Sequence, residues 1–114
     1  MEQDKEIRWV GSAFADLLAF PAEARRQAGF QLGKVQAGLD PDDWKPFDIV
    51  GAGTREIRVR DSDGIYRVMY VAKFVEAIYV LHWFRKTTQA TSKQDRDIAA
   101  ARYRAVANVR EVQQ

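Results

Sequence analysis

Residues 55–74 read REIRVRDSDGIYRVMYVAKF, and the period of this stretch decides the fold. In REIRVRD, Ile57 and Val59 point one way while Arg58 and Arg60 point the other, the period of two that marks a half-buried strand. Asp61-Ser62-Asp63-Gly64 supplies turn chemistry. In the returning IYRVMYVAKF, Tyr66, Val68, Tyr70 and Phe74 share one face, and Arg67, Met69, Val71 and Lys73 share the other. The pattern is a β-hairpin with basic residues gathered on one side.

Working outward toward the C-terminus, IYVLHWF (residues 78–84) reads as a third, largely apolar strand that runs into Arg85, Lys86 and TTQATSK. A final helix starts near Ser92, with Asp95 three residues on as in a capping box; Ile98, Ala101, Ala105, Val109 and Val112 form its apolar stripe. Toward the N-terminus, residues 39–54, LDPDDWKPFDIVGAGT, combine prolines, glycines and aspartates and read as an exposed loop pinned by Trp44 and Phe47. Before it, Ala24, Ala28, Leu32 and Val35 mark a helix that Pro21 begins and Gly38 ends. Phe14, Leu17 and Leu18 mark a shorter helix after Ser12, and Ile7 to Val10 is a short strand. The expected order is β-α-α-β-β-β-α: an α+β fold with an antiparallel sheet. An N-terminal helical hairpin and a C-terminal helix are expected on one face, with an open, basic face opposite.

A chain of 114 residues with 46% hydrophobic content supports one core, so a single domain over 1–114 is expected. Without cysteine and with one histidine, the chain offers no disulfide framework and no thiolate or imidazole metal set, so no metal and no cofactor is expected. The acidic N-terminus MEQDKEIRWV is unlike a signal peptide, and the apolar runs are too short to span a bilayer. A soluble, cytoplasmic protein without membrane contact is the expectation. Charge is uneven: residues 1–54 hold six Lys/Arg against nine Asp/Glu, residues 55–93 eight against four, and residues 94–114 four against three. An anionic partner is therefore expected at the middle third.

The helical hairpin, the hairpin REIRVRDSDGIYRVMYVAKF, the strand YVLHWF and the basic FRKTTQATSK after it resemble the RelE/ParE superfamily of bacterial toxins, in the HigB-like branch related to phage host-killing proteins. The resemblance covers roughly residues 7 to 105. It implies the toxin of a type II toxin–antitoxin system: an endoribonuclease that cleaves mRNA positioned on the ribosome, uses the RNA's own 2′-hydroxyl as nucleophile and inhibits translation. It also implies silencing by a small helix-turn-helix antitoxin, HigA-like, through which alone operator DNA is bound. Arg67 is then the first choice to stabilise the phosphorane-like transition state. Arg58 and Arg60, on the same face one strand away, would hold neighbouring phosphates, with Arg58 in the catalytic set. Lys86 would contact the scissile phosphate or assist the leaving oxygen. Lys73, Arg85 and Lys93 are read as RNA-backbone contacts.

Two side chains admit two readings each. His82 has the pKa of a general base, yet strand parity sets it with Ile78, Val80 and Phe84, and a core histidine with one satisfied nitrogen is preferred. Trp83, with Arg85 on the other parity, is a candidate platform for an unpaired base, core packing being the alternative. Two other functional classes stay open: a ParE-like inhibitor of DNA gyrase, and a non-catalytic module that represses its own operon with its antitoxin.

Overall fold

The structure is a computed structural model that describes residues 4–86 and 90–113. It is α+β, with a five-stranded sheet in the order β1-β5-β4-β3-β2. The elements are β1 (Glu6–Trp9), α1 (Ala13–Leu18), α2 (Ala22–Gln36), β2 (Trp44–Pro46), β3 (Thr54–Asp61), β4 (Gly64–Val71), β5 (Ala77–Lys86) and α3 (Lys93–Gln113). The sheet is mixed, since β1 runs parallel to β5 while the other pairs are antiparallel. The helical hairpin causes this: it carries the chain from the β1 edge to the far edge, and the meander β2–β5 then returns to β1.

Local chemistry fixes the element ends. Pro21, extended at φ −56° and ψ 149°, caps α2. Gly38, at φ 84°, closes it in a Schellman motif: the Gly38 amide donates to the Val35 carbonyl at 3.0 Å and the Leu39 amide to Lys34 at 2.9 Å. The Asp61 carboxylate accepts from the amides of Asp63 at 2.8 Å and Gly64 at 3.0 Å, which locks the β3–β4 turn. Ser92 Oγ accepts from the Asp95 amide at 3.1 Å and donates to the Asp95 carboxylate at 2.7 Å at the start of α3.

Two cores sandwich the sheet. On one face Ala24, Ala28, Leu32 and Val35 of α2 meet Ile57, Val59, Tyr66, Val68, Tyr70, Ile78, Val80 and Trp83. On the other face Ala99 and Val106 of α3 meet Met69, Val71, Ala77, Tyr79, Leu81 and Phe84. The expectation of helices on one face only is thus corrected, because α3 lies over β5 on the face read as open.

The stripe read for α3 is corrected too. Ala101, Ala105 and Val109 are exposed and Ile98 half-buried, while Ala99 and Val106 are buried; the Val112 side chain lies outside the described residues. The inner face is instead built from amphipathic side chains with polar tips. Tyr103 seats its ring where a Cβ at Gly51 would stand, 2.4 Å from the ring, and donates its hydroxyl to the Ala52 carbonyl at 2.7 Å. Arg102 donates to the Leu81 carbonyl at 2.9 Å and to Ser12 Oγ at 2.8 Å, and Arg110 pairs with Glu76.

Candidate functional site

Pairing across β2, β3, β4 and β5 arranges the chemistry-bearing side chains in three rows on the α3 face. In the first row stand Lys45, Glu56, Met69 and His82; in the second, Arg58, Arg67 and Phe84; in the third, Arg60, Ile65 and Lys86. Phe84 and Met69 join the core under α3, and the remainder of the patch is a basic strip that runs across the sheet from β2 to the end of β5. Four cations converge there: Lys45, Arg58, Arg67 and Lys86.

The carboxylate at the heart of the patch is Glu56. One of its oxygens pairs with the Arg67 guanidinium, with both side chains almost wholly buried. The other accepts from Thr91 Oγ1 at 3.1 Å, itself buried. Lys45 Nζ stands 3.7 Å from the first oxygen, and Arg58 Nε is 3.8 Å from Asp43 Oδ2. Between these groups lies a cavity of about 40 Å³ lined by Asp43, Trp44, Lys45, Glu56, Arg58 and Arg67. Arg67 Nε and Nη2 and Arg58 Nε are buried and have no hydrogen-bond partner among the described residues.

Repulsion among these cations leaves an electrostatic signature. Burial and the nearby Arg67 and Arg58 hold the Lys45 ammonium below the usual lysine range. The same causes, with Lys45 added, lower Lys86. Burial also lowers the Arg67 guanidinium, which Asp43 opposes. Such a patch favours an anion, whose arrival would relieve the repulsion and occupy the unpartnered donors.

Several expected placements change. Arg67 is on the expected face of β4 but is only 2% exposed; Glu56 and Thr91 cover it, so it underlies the strip rather than projecting from it. Trp83 is corrected from a candidate base platform to a core residue. It is 2% exposed, stacks on Tyr66 at 5.9 Å and 4°, and meets the Phe20 edge at 5.3 Å. Arg85 stands opposite Tyr66 on the α2 face, and its guanidinium donates to the Asp63 carbonyl at 2.5 Å, so it does not share the strip with Lys86. Lys73 sits beyond the far end of β4, its stem across Gly53 and its ammonium near the Phe74 and Tyr103 rings. Lys93 is exposed and pairs with Asp97 at 2.7 Å. Arg60 is exposed at the hairpin end of the strip. Thr87, Thr88 and Gln89, part of the basic segment after β5, lie outside the described residues.

His82 is buried, its Nε2 2.8 Å from Asp95 Oδ1 and its ring stacked 5.0 Å from Phe84. Its Nδ1 has no partner among the described residues, so the core reading with one satisfied nitrogen describes it. The parity behind that reading fails, however. A bulge between Met69 and Tyr70 pairs Met69 with His82 and Tyr70 with Val80, which leaves Leu81 unmatched. His82 therefore lies with Leu81 and Phe84 on the α3 face, and Trp83 with Ile78 and Val80 on the other.

Lys45, Glu56 and Thr91 were not legible as site residues. Lys45 sits in WKP, within a segment whose prolines and aspartates read as loop, yet it forms the edge strand β2. Its signal was the alternation of Trp44, Lys45 and Pro46, too short to weigh against proline. Glu56 was visible as the carboxylate on the arginine-bearing face of REIRVR.

No helix among the described residues is long and apolar enough to cross a membrane. No curated protein matches the chain. Residues 15–104 match the family described as phage-derived protein Gp49-like (DUF891), a family associated with toxin–antitoxin toxins of the RelE/HigB type. That match spans α1 to most of α3 and contains the three rows of the site, and on this ground the chain belongs to the phage-derived Gp49-like family.

Proposed function

We propose that this chain is the toxin of a type II toxin–antitoxin pair in the HigB-like branch of the RelE/ParE superfamily, and that it cleaves mRNA on the ribosome without a metal. The observation that carries this reading is the convergence of Lys45, Arg58, Arg67 and Lys86 on one strip around the buried carboxylate of Glu56. Cation repulsion at such a place is tolerated for the sake of a polyanion, and phosphoryl transfer needs little beyond positioning and charge stabilisation.

The roles follow from the rows. The 2′-hydroxyl oxygen attacks the adjacent phosphorus and gives its proton to the neutral amine of Lys45, whose charged form burial, Arg67 and Arg58 disfavour. The ammonium so formed stands 3.7 Å from Glu56. Arg58, in the next row, meets the non-bridging oxygens as they gain charge, with Arg67 beneath it as the fixed positive floor. Lys86, in the third row, delivers a proton to the departing 5′-oxygen. The P–O5′ bond breaks and leaves a 2′,3′-cyclic phosphate and a 5′-hydroxyl. Arg60 extends the strip for a neighbouring phosphate. The partners of this reading are mRNA, the ribosome and a helix-turn-helix antitoxin, and the compartment is the cytoplasm.

A cleavage assay with purified ribosomes and a defined mRNA tests the proposal. Codon-phased fragments ending in cyclic phosphate are expected from the parent chain and not from Arg58→Gln or Lys86→Gln. Inhibition of gyrase supercoiling without RNA fragments would identify a ParE-like activity. Operator binding with the antitoxin and no toxicity would identify a repressor module.

A further inference from the structure

A second cleft lies at the other end of the sheet and on its other face. It encloses about 520 Å³ between the C-terminal end of α2, the start of β3 and the end of β4, with Lys5, Val35, Leu39, Arg55, Ala72 and Lys73 among its lining. The catalytic rows do not reach it. Arg55 stands beside Tyr70 on the α2 face, opposite to the face that carries Arg58.

Its polar capacity is cationic. The backbone at this end is largely satisfied internally: the Schellman turn pairs the last carbonyls of α2, and the Lys5 amide donates to the Gln36 carbonyl at 3.3 Å. The cations are held in place. Lys5 Nζ donates to the Ala72 carbonyl at 2.5 Å, and the Arg55 guanidinium lies 4.2 Å over the Trp44 ring. Lys73 lines the cleft by its stem, its ammonium lying by the Phe74 and Tyr103 rings. Against Lys5 and Arg55 stands the exposed Asp40, 3.2 Å from Arg55, which an incoming carboxylate could replace.

The rim is aliphatic. Leu39, after α2, lines the cleft and is 60% exposed, with Val35 and Ala72 beside it. Inorganic phosphate would leave that rim unused, and single-stranded RNA is gripped by stacking surfaces, which aliphatic side chains are not. A cationic floor with an aliphatic rim fits an acidic peptide segment that also carries leucine or isoleucine.

We infer that this cleft is the docking site for such a segment of the silencing partner, bound at a distance from the catalytic strip. The inference rests on the toxin reading in naming that partner; the chemistry of the cleft does not. The test is a titration of the full 15N-labelled chain with three probes: a peptide alternating Glu and Leu, one alternating Lys and Leu, and a short oligouridylate. The Glu–Leu peptide is expected to move the amides of Gly38, Leu39, Gly53 and Ala72, and the other two to leave them in place. Replacing Lys5→Gln and Arg55→Gln together is expected to weaken that peptide about tenfold while ribosome-dependent cleavage is unchanged. Equal shifts with the Lys–Leu peptide, shifts led by the oligouridylate, or no shift with the Glu–Leu peptide would each overturn the assignment. Absence of cleavage by the parent chain would instead remove the toxin reading and leave the peptide result standing.

Discussion

Glu56 and Arg67 form an ion pair whose side chains are 1% and 2% exposed, directly beneath the strip proposed to receive RNA. Their register makes the pair diagonal across β3 and β4, since Glu56 is opposite Met69 and Arg67 opposite Arg58. Removing one partner of a buried pair strands the other, whereas removing both with apolar replacements removes the desolvation cost as well. Glu56→Leu or Arg67→Met alone is expected to cost about 3 to 5 kcal/mol, and the double variant far less than their sum. Urea unfolding of the four chains measures this. A double variant as unstable as the added singles would show that the two are not coupled.

The salt dependence of RNA binding should separate the faces of the sheet. Neutralising one phosphate on a single strand contributes about 0.7 to the slope of log affinity against log salt. Arg58→Gln or Lys86→Gln is expected to flatten that slope by somewhat less than this amount. Arg85→Gln, on the α2 face, and Arg26→Gln, on α2, should leave it unchanged. Equal flattening by all four would mean that overall charge, and not the strip, attracts RNA.

The lysines supply a pH signature. Both Lys45 and Lys86 are lowered from 10.5, so in the alkaline window the folded chain holds fewer protons than the unfolded one. Burial of the two ammonium groups, together with charge repulsion, therefore opposes folding below the folded pKa, and stability is regained as pH rises through that value toward the unfolded one. Because Arg58 lowers both, Arg58→Gln is expected to move both lysine titrations upward. NMR of the side-chain Cε and Nζ signals reads this directly; titrations that stay where they were would deny that the three groups share one field.

Trp83 tests the corrected placement. Truncating a buried indole stacked between Tyr66 and Phe20 is expected to cost about 3 to 5 kcal/mol. The folded fraction of Trp83→Ala should still bind RNA with parental affinity and salt slope. A stable chain with weakened RNA binding would return Trp83 to the role of a base platform.

On α2 and β4 the apolar period was readable, whereas on β5 the bulge at Leu81 broke it and on α1 Phe14 and Leu18 of the expected stripe are exposed. Ala24, Ala28, Leu32 and Val35 on α2, and Tyr66, Val68 and Tyr70 against Met69 and Val71 on β4, fell on the faces their spacing requires. On α3 the same logic misled. Tyr103, Arg102 and Arg110 reach the core region by stems and rings rather than by hydropathy, and the small apolar residues were left outside. The site was half visible. The arginines alternate plainly, but their burial depends on Thr91 and Glu56 meeting from positions 35 residues apart, which no local pattern records. The edge strand β2 was hidden by Pro46 within it and Pro41 just before it.

The unmatched Leu81 has a consequence for how this strand can change over time. It is the spare residue of the bulge: Leu81 and His82 share the α3 face, and alternation is regular on either side of them. Loss of Leu81 alone would bring Val80 and His82 into plain alternation and leave Arg85 and Lys86 on the faces they now hold. Loss of one residue further along, at Trp83 for example, would instead exchange those two faces, bringing to the strip a guanidinium that keeps its proton in place of an ammonium that can release it. A lineage could thus shed the bulge silently, while an equally short deletion two residues on would rewrite the strip.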